Sequence, residues 1–371
     1  MIVALAVVGG FNHSIREKLY AFEGHLHIHE FSNNPSRASN MPLAEDGYLE
    51  EKVAEIPHVV QIAPYIRRSG ILQYKGKMEG IDLKGIPDSF YFSKGISFTG
   101  DKIDYSDTAY SKDIQLSEVT AARLDLKAGD MLQLYFLEEG STFPRIRKVR
   151  VVGLFHTGMD DIDKYHGLCD IRLLRHINNW EEGAISGYQV SLDGSAYDRR
   201  VSDKIEQEYL RSPLYSYTMK ETWPHIFSWL DIIDQNAVII LTIMAIVAII
   251  NLAVALIILI VEQARMVGIL KAQGMGMNHI RMVFLYYAGL IAGSGIFIGN
   301  IIALGLGWAQ IKTGFISLQE SSYSMTKVPF RIVSWHIAVI DVATLLLCIA
   351  CMLLPTLYLR RVQPARVLHF K

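Results

Sequence analysis

The stretch Ala237–Val261 reads AVIILTIMAIVAIINLAVALIILIV and carries no formal charge. As a helix rising ~1.5 Å per residue, it is long enough to cross a hydrocarbon core of ~30 Å. Two more runs follow it. Met282–Ile311 is also free of formal charge, and Ile332–Tyr358 is interrupted only by His336 and Asp341. These three segments predict membrane-spanning helices at about 237–261, 282–311 and 332–358.

The start of the chain is shorter and apolar. Met1–Gly10 covers only about 15 Å as helix and runs at once into Arg16, Glu17 and Lys18. A secretory leader wants a positive region before its apolar core, and none precedes this one. The expectation is the outer half of a first membrane helix whose beginning lies upstream of Met1, followed by an amphipathic exit, together residues 1–23.

Basic residues orient the helices. The loop Glu262–Arg281 carries Arg265, Lys271 and Arg281, and the tail carries Arg360, Arg361, Arg366 and Lys371. The other loop carries Lys312, Lys327 and Arg331, matching the first loop, so the tail decides and places itself and the first loop in the cytoplasm. Trp223, Trp229, Trp308 and Trp335 then all lie at the outer interface, where indole favours the headgroup layer. The region 24–228 is accordingly expected outside the membrane, and 229–371 forms the membrane domain.

Hydrophobic residues make up 51% of the chain, and the formal net charge is −1. That balance excludes a strongly basic nucleic-acid binder. Of three cysteines, Cys348 and Cys351 sit in an apolar run, which leaves Cys169 alone and gives no disulfide framework.

The exported region mixes short alternating segments with amphipathic ones. His25–Glu30, Val59–Ala63, Met131–Phe136, Val149–Phe155 and Gly187–Leu192 predict strands; Leu116–Leu124 and Val201–Leu210 predict helices. An α+β domain follows. His25, His27 and His29 share one face of their strand, and His156, Asp160, Asp161, Asp163 and His166 form a second polar group. Neither has the partner spacing of a metal site; the expectation is a polar strand face near the membrane for the first and a charge-rich loop for the second. No nucleophile elbow or zinc-protease helix motif occurs.

No G-x-x-x-x-G-K-[S/T] sequence is present, so a Walker-type ATPase does not lie in this chain. The cytoplasmic loop offers a means of borrowing one. Glu262–Lys271 reads as a short amphipathic helix, with Met266, Ile269 and Leu270 on one stripe, Glu262, Arg265 and Lys271 around it, and Gly274 as a stop. Such a stripe suits a groove on a partner or the headgroup surface. Gly289, Gly293, Gly295 and Gly299 form two G-x-x-x-G patterns that permit close helix approach. Asp341 falls near the outer end of its run, where a solvated interfacial position is expected.

The residues Ile250-Asn251-Leu252, Val261-Glu262 and Gly268-Ile269-Leu270-Lys271-Ala272-Gln273-Gly274 resemble the FtsX-like permease pattern, as does the tail Gln363–Lys371, although an acidic residue usually ends that tail. Val152–Asp163 and Asn12–Lys18 resemble the Lol-type (LolC/LolE) lipoprotein-releasing branch. The resemblance implies a non-catalytic four-helix FtsX/MacB-like permease, its first helix truncated here, in the inner membrane with a large periplasmic α+β domain. It binds no cofactor; ATP is used by a cytoplasmic partner ATPase that docks on the helix matching Glu262–Gln273. A second permease subunit completes the dimer, lipoproteins are the cargo, and the stroke is passed on by mechanotransmission. The family's hook for a periplasmic lipoprotein carrier falls near Arg175–Gly187, where Trp180 is either a contact flanked by Arg175 or a core residue. A MacB-like efflux permease usually has a fused ATPase, and an FtsX-like regulator of a cell-wall hydrolase has a shorter exported domain; both remain alternatives.

Overall fold

Met131–Phe136 alternates large apolar residues inward with exposed or half-exposed ones outward, the period of a strand with one buried face. In the computed structural model it pairs with β-strands on both sides. The structure describes residues 1–31, 41–93, 95–107, 109–137, 143–317 and 327–358, without the side chains at 256, 260, 264, 277, 336 and 351–358. The tail motif Gln363–Lys371 lies outside the described residues.

The chain divides into two compact units. One comprises residues 14–227 and 318–326, the other 1–13, 228–317 and 327–371. In the larger unit the strands are β1 (Leu26–Glu30), β2 (Leu43–Ala44), β3 (Val59–Tyr74), β4 (Lys77–Ile86), β5 (Ser97–Gly100) and β6 (Asp113–Ser117). They continue with β7 (Met131–Phe136), β8 (Arg145–His156), β9 (His166–Asp170), β10 (Ala184–Ile185), β11 (Gly187–Leu192) and β12 (Leu214–Thr218). Ten of them form one sheet in the order β12-β1-β11-β3-β4-β9-β6-β8-β5, and β7 joins β3 to β8. Strands β3, β4, β9, β6, β8 and β7 therefore close into a ring, with parallel pairing at β4–β9 and β6–β8.

Strand β3 is 16 residues long and serves both parts of the sheet. Its first half pairs with β11, its second half with β7, and Ile66–Tyr74 pairs with β4. The core is built from inward residues of these strands, among them Ile66, Leu83, Leu116, Leu134, Val149 and Val190. Short helices cover it and are capped locally: Ser117 accepts from the Thr120 N–H at the start of Glu118–Leu124, and Asp170 from the Arg172 N–H at the start of Ile171–Ile177. Leu116 and Ser117, expected in the first of these helices, belong instead to β6, because the Ser117 cap starts the helix at Glu118.

In the smaller unit the helices are Pro224–Glu262, Ala264–Ala272, Met277–Thr313 and Ser334–Tyr358, together with the start of Ile2–Glu23. Pro224–Leu259 and Asn278–Thr313 are long and apolar enough to span a membrane, with mean hydropathies of 2.9 and 1.9. Ile337–Ala350 is a shorter apolar helix segment. The apolar side chains of the first of these helices point outward, Ile239, Ile246 and Ile250 among them, as a lipid-facing surface requires.

Candidate functional site

Ala264–Ala272 is a short helix set between two long ones, and its stripe divides. Val267 is fully buried with Ile280 and Phe284, and Met266 and Leu270 pack against that cluster together with Leu252, Leu259 and Leu285. Ile269 is left exposed beside Glu262, Arg265, Ala272 and Gln273. Lys271 is half-buried. The exposed part of this helix is thus Ile269 flanked by ionic and amide groups. Met266 and Leu270 anchor the helix to its own membrane neighbours.

Two amide–carboxylate pairs lie inside the smaller unit. Asn12 Nδ2 donates to Asp234 Oδ1 at 2.5 Å, and Asn300 Nδ2 donates to Asp341 Oδ2 at 2.7 Å. The second bond ties Met277–Thr313 to Ser334–Tyr358. Asp341 stands seven residues into its helix, about 10 Å along the axis. Asp341 is half-buried there and joins the two helices by this hydrogen bond. Gly289, Gly293, Gly295 and Gly299 have nothing within 4 Å of an added Cβ, so among the described residues their surface is open.

In the larger unit, Arg175 and Trp180 flank the end of Ile171–Ile177. Arg175 donates from Nε to the Ala184 carbonyl at 3.0 Å and lies 3.7 Å from Glu45. Trp180 is half-buried and packs against the core. The strand histidines, expected on a polar strand face near the membrane, are mostly withdrawn from water. His25 stacks on Tyr20 at 4.2 Å and accepts the Leu192 N–H; His29 stacks on Tyr217 at 4.5 Å. Asp163, in the second polar group, accepts from the Thr157 and Gly158 N–H groups and holds a turn.

His27 belongs to a buried charged cluster that the sequence does not announce. Glu23, the last residue of Ile2–Glu23, is fully buried. Its Oε2 accepts from Arg67 of β3, and Lys84 of β4 lies 3.5 Å away. His27 and His166 approach its two oxygens at 3.7 and 3.8 Å. Lys84, also fully buried, donates to the Phe22 carbonyl at 2.8 Å and to Gln189 Oε1 of β11 at 2.5 Å. Asp82 of β4 adds a second carboxylate, 3.7 Å from Arg67.

Burial alone would raise the Glu23 pKa; Arg67, Lys84 and the two imidazoles reverse this and hold the carboxyl well below the usual range. Burial lowers Lys84 to about 8 against the pull of Glu23, and lowers His27 to about 3. His166 is also lowered, mainly by burial. With neutral imidazoles the cluster balances two cations with two carboxylates. Its one sequence signal is Lys84, placed among Ile81, Leu83 and Ile86.

Residues 238–364 match the FtsX-like permease C-terminal family. This part of the chain is an FtsX-like permease domain. Such a permease is non-catalytic and carries no cofactor; the ATPase activity of its transporter lies in other chains or domains. The lipoprotein-releasing system transmembrane protein LolC of Neisseria meningitidis is 22% identical over 387 aligned residues, spanning 100% of this chain and 91% of that one. LolC of Xylella fastidiosa is 21% identical, over 100% of this chain and 90% of its own. The periplasmic region of MacB from Actinobacillus actinomycetemcomitans is 12% identical over 56% of this chain and 95% of that structure, with a TM-score of 0.39.

Proposed function

We propose that this FtsX-like permease releases lipoproteins from the inner membrane toward the outer membrane, driven by a partner ATPase. The observation that carries this reading is the distant likeness to LolC across the whole chain, which takes in the large domain and the membrane helices together. The domain 24–228 is periplasmic in this reading, and the helix around Ile269 faces the cytoplasm. Exposed Ile269 enters the ATPase groove while Glu262, Arg265 and Lys271 set its orientation, with Met266 and Leu270 holding the helix against the membrane unit.

A second permease subunit packs on the open glycines Gly289, Gly293, Gly295 and Gly299. Arg175 and the half-buried Trp180 form the edge that receives a soluble lipoprotein carrier. The test is depletion of the protein in its host, separation of inner and outer membranes, and blotting for an outer-membrane lipoprotein. Accumulation in the inner membrane is expected. Normal sorting, with no paralogue present, refutes the reading.

A further inference from the structure

The Glu23 cluster has a geometry that a solvated surface pair lacks. A helix C-terminus presents unpaired carbonyls and the negative end of the helix dipole, so a carboxylate there is unfavourable and a cation favourable. Glu23 is a carboxylate in that position, withdrawn from water. What makes it tolerable is Lys84, whose ammonium satisfies the Phe22 carbonyl and lies 3.5 Å from Glu23, together with Arg67. Four further contacts fix the same turn. His27 donates to the Glu23 carbonyl at 2.7 Å, Gln189 shares the Lys84 ammonium, the Lys84 ammonium lies 5.0 Å from the centre of the Phe22 ring, and Phe22 stacks on Phe155 at 5.6 Å.

The chain then leaves the helix through Gly24. Its φ of +75° and an added Cβ 2.6 Å from Gln189 Cγ both exclude a side chain. The groups that grip this helix end come from β1, β3, β4, β8, β9 and β11, strands widely spread through the sheet.

We infer that Glu23, Arg67 and Lys84 form a buried ionic clasp that fastens the end of the N-terminal helix to the extramembrane sheet. Within the lipoprotein-release reading, on which this part rests, Glu23 is a positioning residue that converts displacement of that helix into displacement of the domain. A flexible connection at Gly24 would let the helix move while the domain stayed behind. The clasp removes that freedom, because opening it exposes a fully buried cation, a largely buried one and a buried carboxylate at once.

The test uses the full chain assembled with its ATPase. Three variants are compared with the wild type: Glu23→Gln removes the charge, Lys84→Met keeps the Glu23–Arg67 pair, and Glu23→Asp keeps the charge on a shorter arm. Leu134→Ala destabilises the same domain away from the clasp and serves as the control.

The first readout is hydrogen exchange of the last helical turn, including the Gly24 amide that bonds the Tyr20 carbonyl. Exchange is expected to rise about tenfold or more in Glu23→Gln, less in Lys84→Met, and least in Glu23→Asp, while β6 to β8 keep their protection. The second readout is lipoprotein released per ATP hydrolysed by folded complex. It is expected to fall about tenfold in Glu23→Gln, to recover partly in Glu23→Asp, and to stay at the wild-type value in Leu134→Ala.

Unchanged exchange in both Glu23→Gln and Lys84→Met overturns the clasp. Raised exchange with an unchanged ratio overturns the role in transmission. Should Glu23→Gln fail to fold, Lys84→Met and Glu23→Asp decide on the same two readouts. If the wild-type complex releases no lipoprotein, the function proposed above is wrong, and exchange alone still decides the clasp.

Discussion

The two units place the same kinds of side chain in opposite ways. In the larger unit Leu26, Ile28, Leu83 and Leu134 are wholly buried, whereas in the smaller one Val238, Ile239, Ile246 and Ile250 are each at least half exposed. Their polar groups differ as well. The larger unit buries full charges and balances them, as at Glu23, Arg67 and Lys84. The smaller unit joins helices through single amide–carboxylate bonds, Asn12 to Asp234 and Asn300 to Asp341. The difference follows from the medium. Water drives the first unit to bury apolar area. Lipid offers no such drive between helices, so packing and a few hydrogen bonds hold the second together.

The contrast can be broken at several points. Leu134→Ala leaves a cavity inside the ring of strands and should cost about 3–4 kcal/mol, read by denaturant-dependent proteolysis of the larger unit. Ile250→Ala, on the outward face of its helix, should change stability by no more than about 0.5 kcal/mol. Equal costs at the two positions would contradict the different media assigned to them. Ile250→Arg sharpens the same point. Charge at the centre of a spanning helix should raise its insertion cost by about 2.5–3.5 kcal/mol, measured as the membrane-integrated fraction in a glycosylation-reporter assay.

Acid should weaken the larger unit selectively. Burial lowers His25 to about 4 and His27 to about 3, and His29 and His166 are lowered too. Their folded pKa values lie below the unfolded value, so the unfolded chain takes up protons first and stability is lost as pH falls below about 6.5. Asp198 opposes this: burial raises it to about 7 beside the Tyr20 hydroxyl, so the folded state gains a proton there between pH 7 and its unfolded value. Four imidazoles outweigh one carboxyl. Stability should fall between pH 6.5 and 4, and Asp198→Asn should steepen the fall, as seen in melting temperatures across that range. A flat profile would show that the histidines remain solvated. A modest effect is expected at Asp341→Ala, which removes one interhelical bond and should cost about 0.6–1.7 kcal/mol, measured by unfolding in detergent or bilayer.

Much of this architecture is legible in the sequence, for physical reasons that vary along the chain. The three apolar runs and the strands Met131–Phe136 and Gly187–Leu192 are read from uninterrupted hydrophobicity and from period-two alternation. Strand β3 outlasts the expected Val59–Ala63 because Pro64 and Arg67-Arg68-Ser69-Gly70 mask the period that β4 and β11 impose on it. At Ile269 the stripe reveals amphipathicity, but periodicity does not say which apolar surface covers each residue; Met266 and Leu270 turn to their own helices. The clasp was hidden because Glu23, Arg67, Lys84 and His166 are far apart in the chain and each alone resembles a solvated residue. Only pairing β3 beside β4 and β4 beside β9 brings them together.

The most direct measurement of the central claim is made in liposomes. The permease, its ATPase and an outer-membrane lipoprotein are reconstituted together, and soluble carrier is supplied outside. ATP should move the lipoprotein from the liposomes to the carrier, and Ile269→Asp should abolish both this transfer and the ATPase stimulation by the permease. Vigorous ATP hydrolysis with the lipoprotein still in the liposomes, carrier present, would contradict the account.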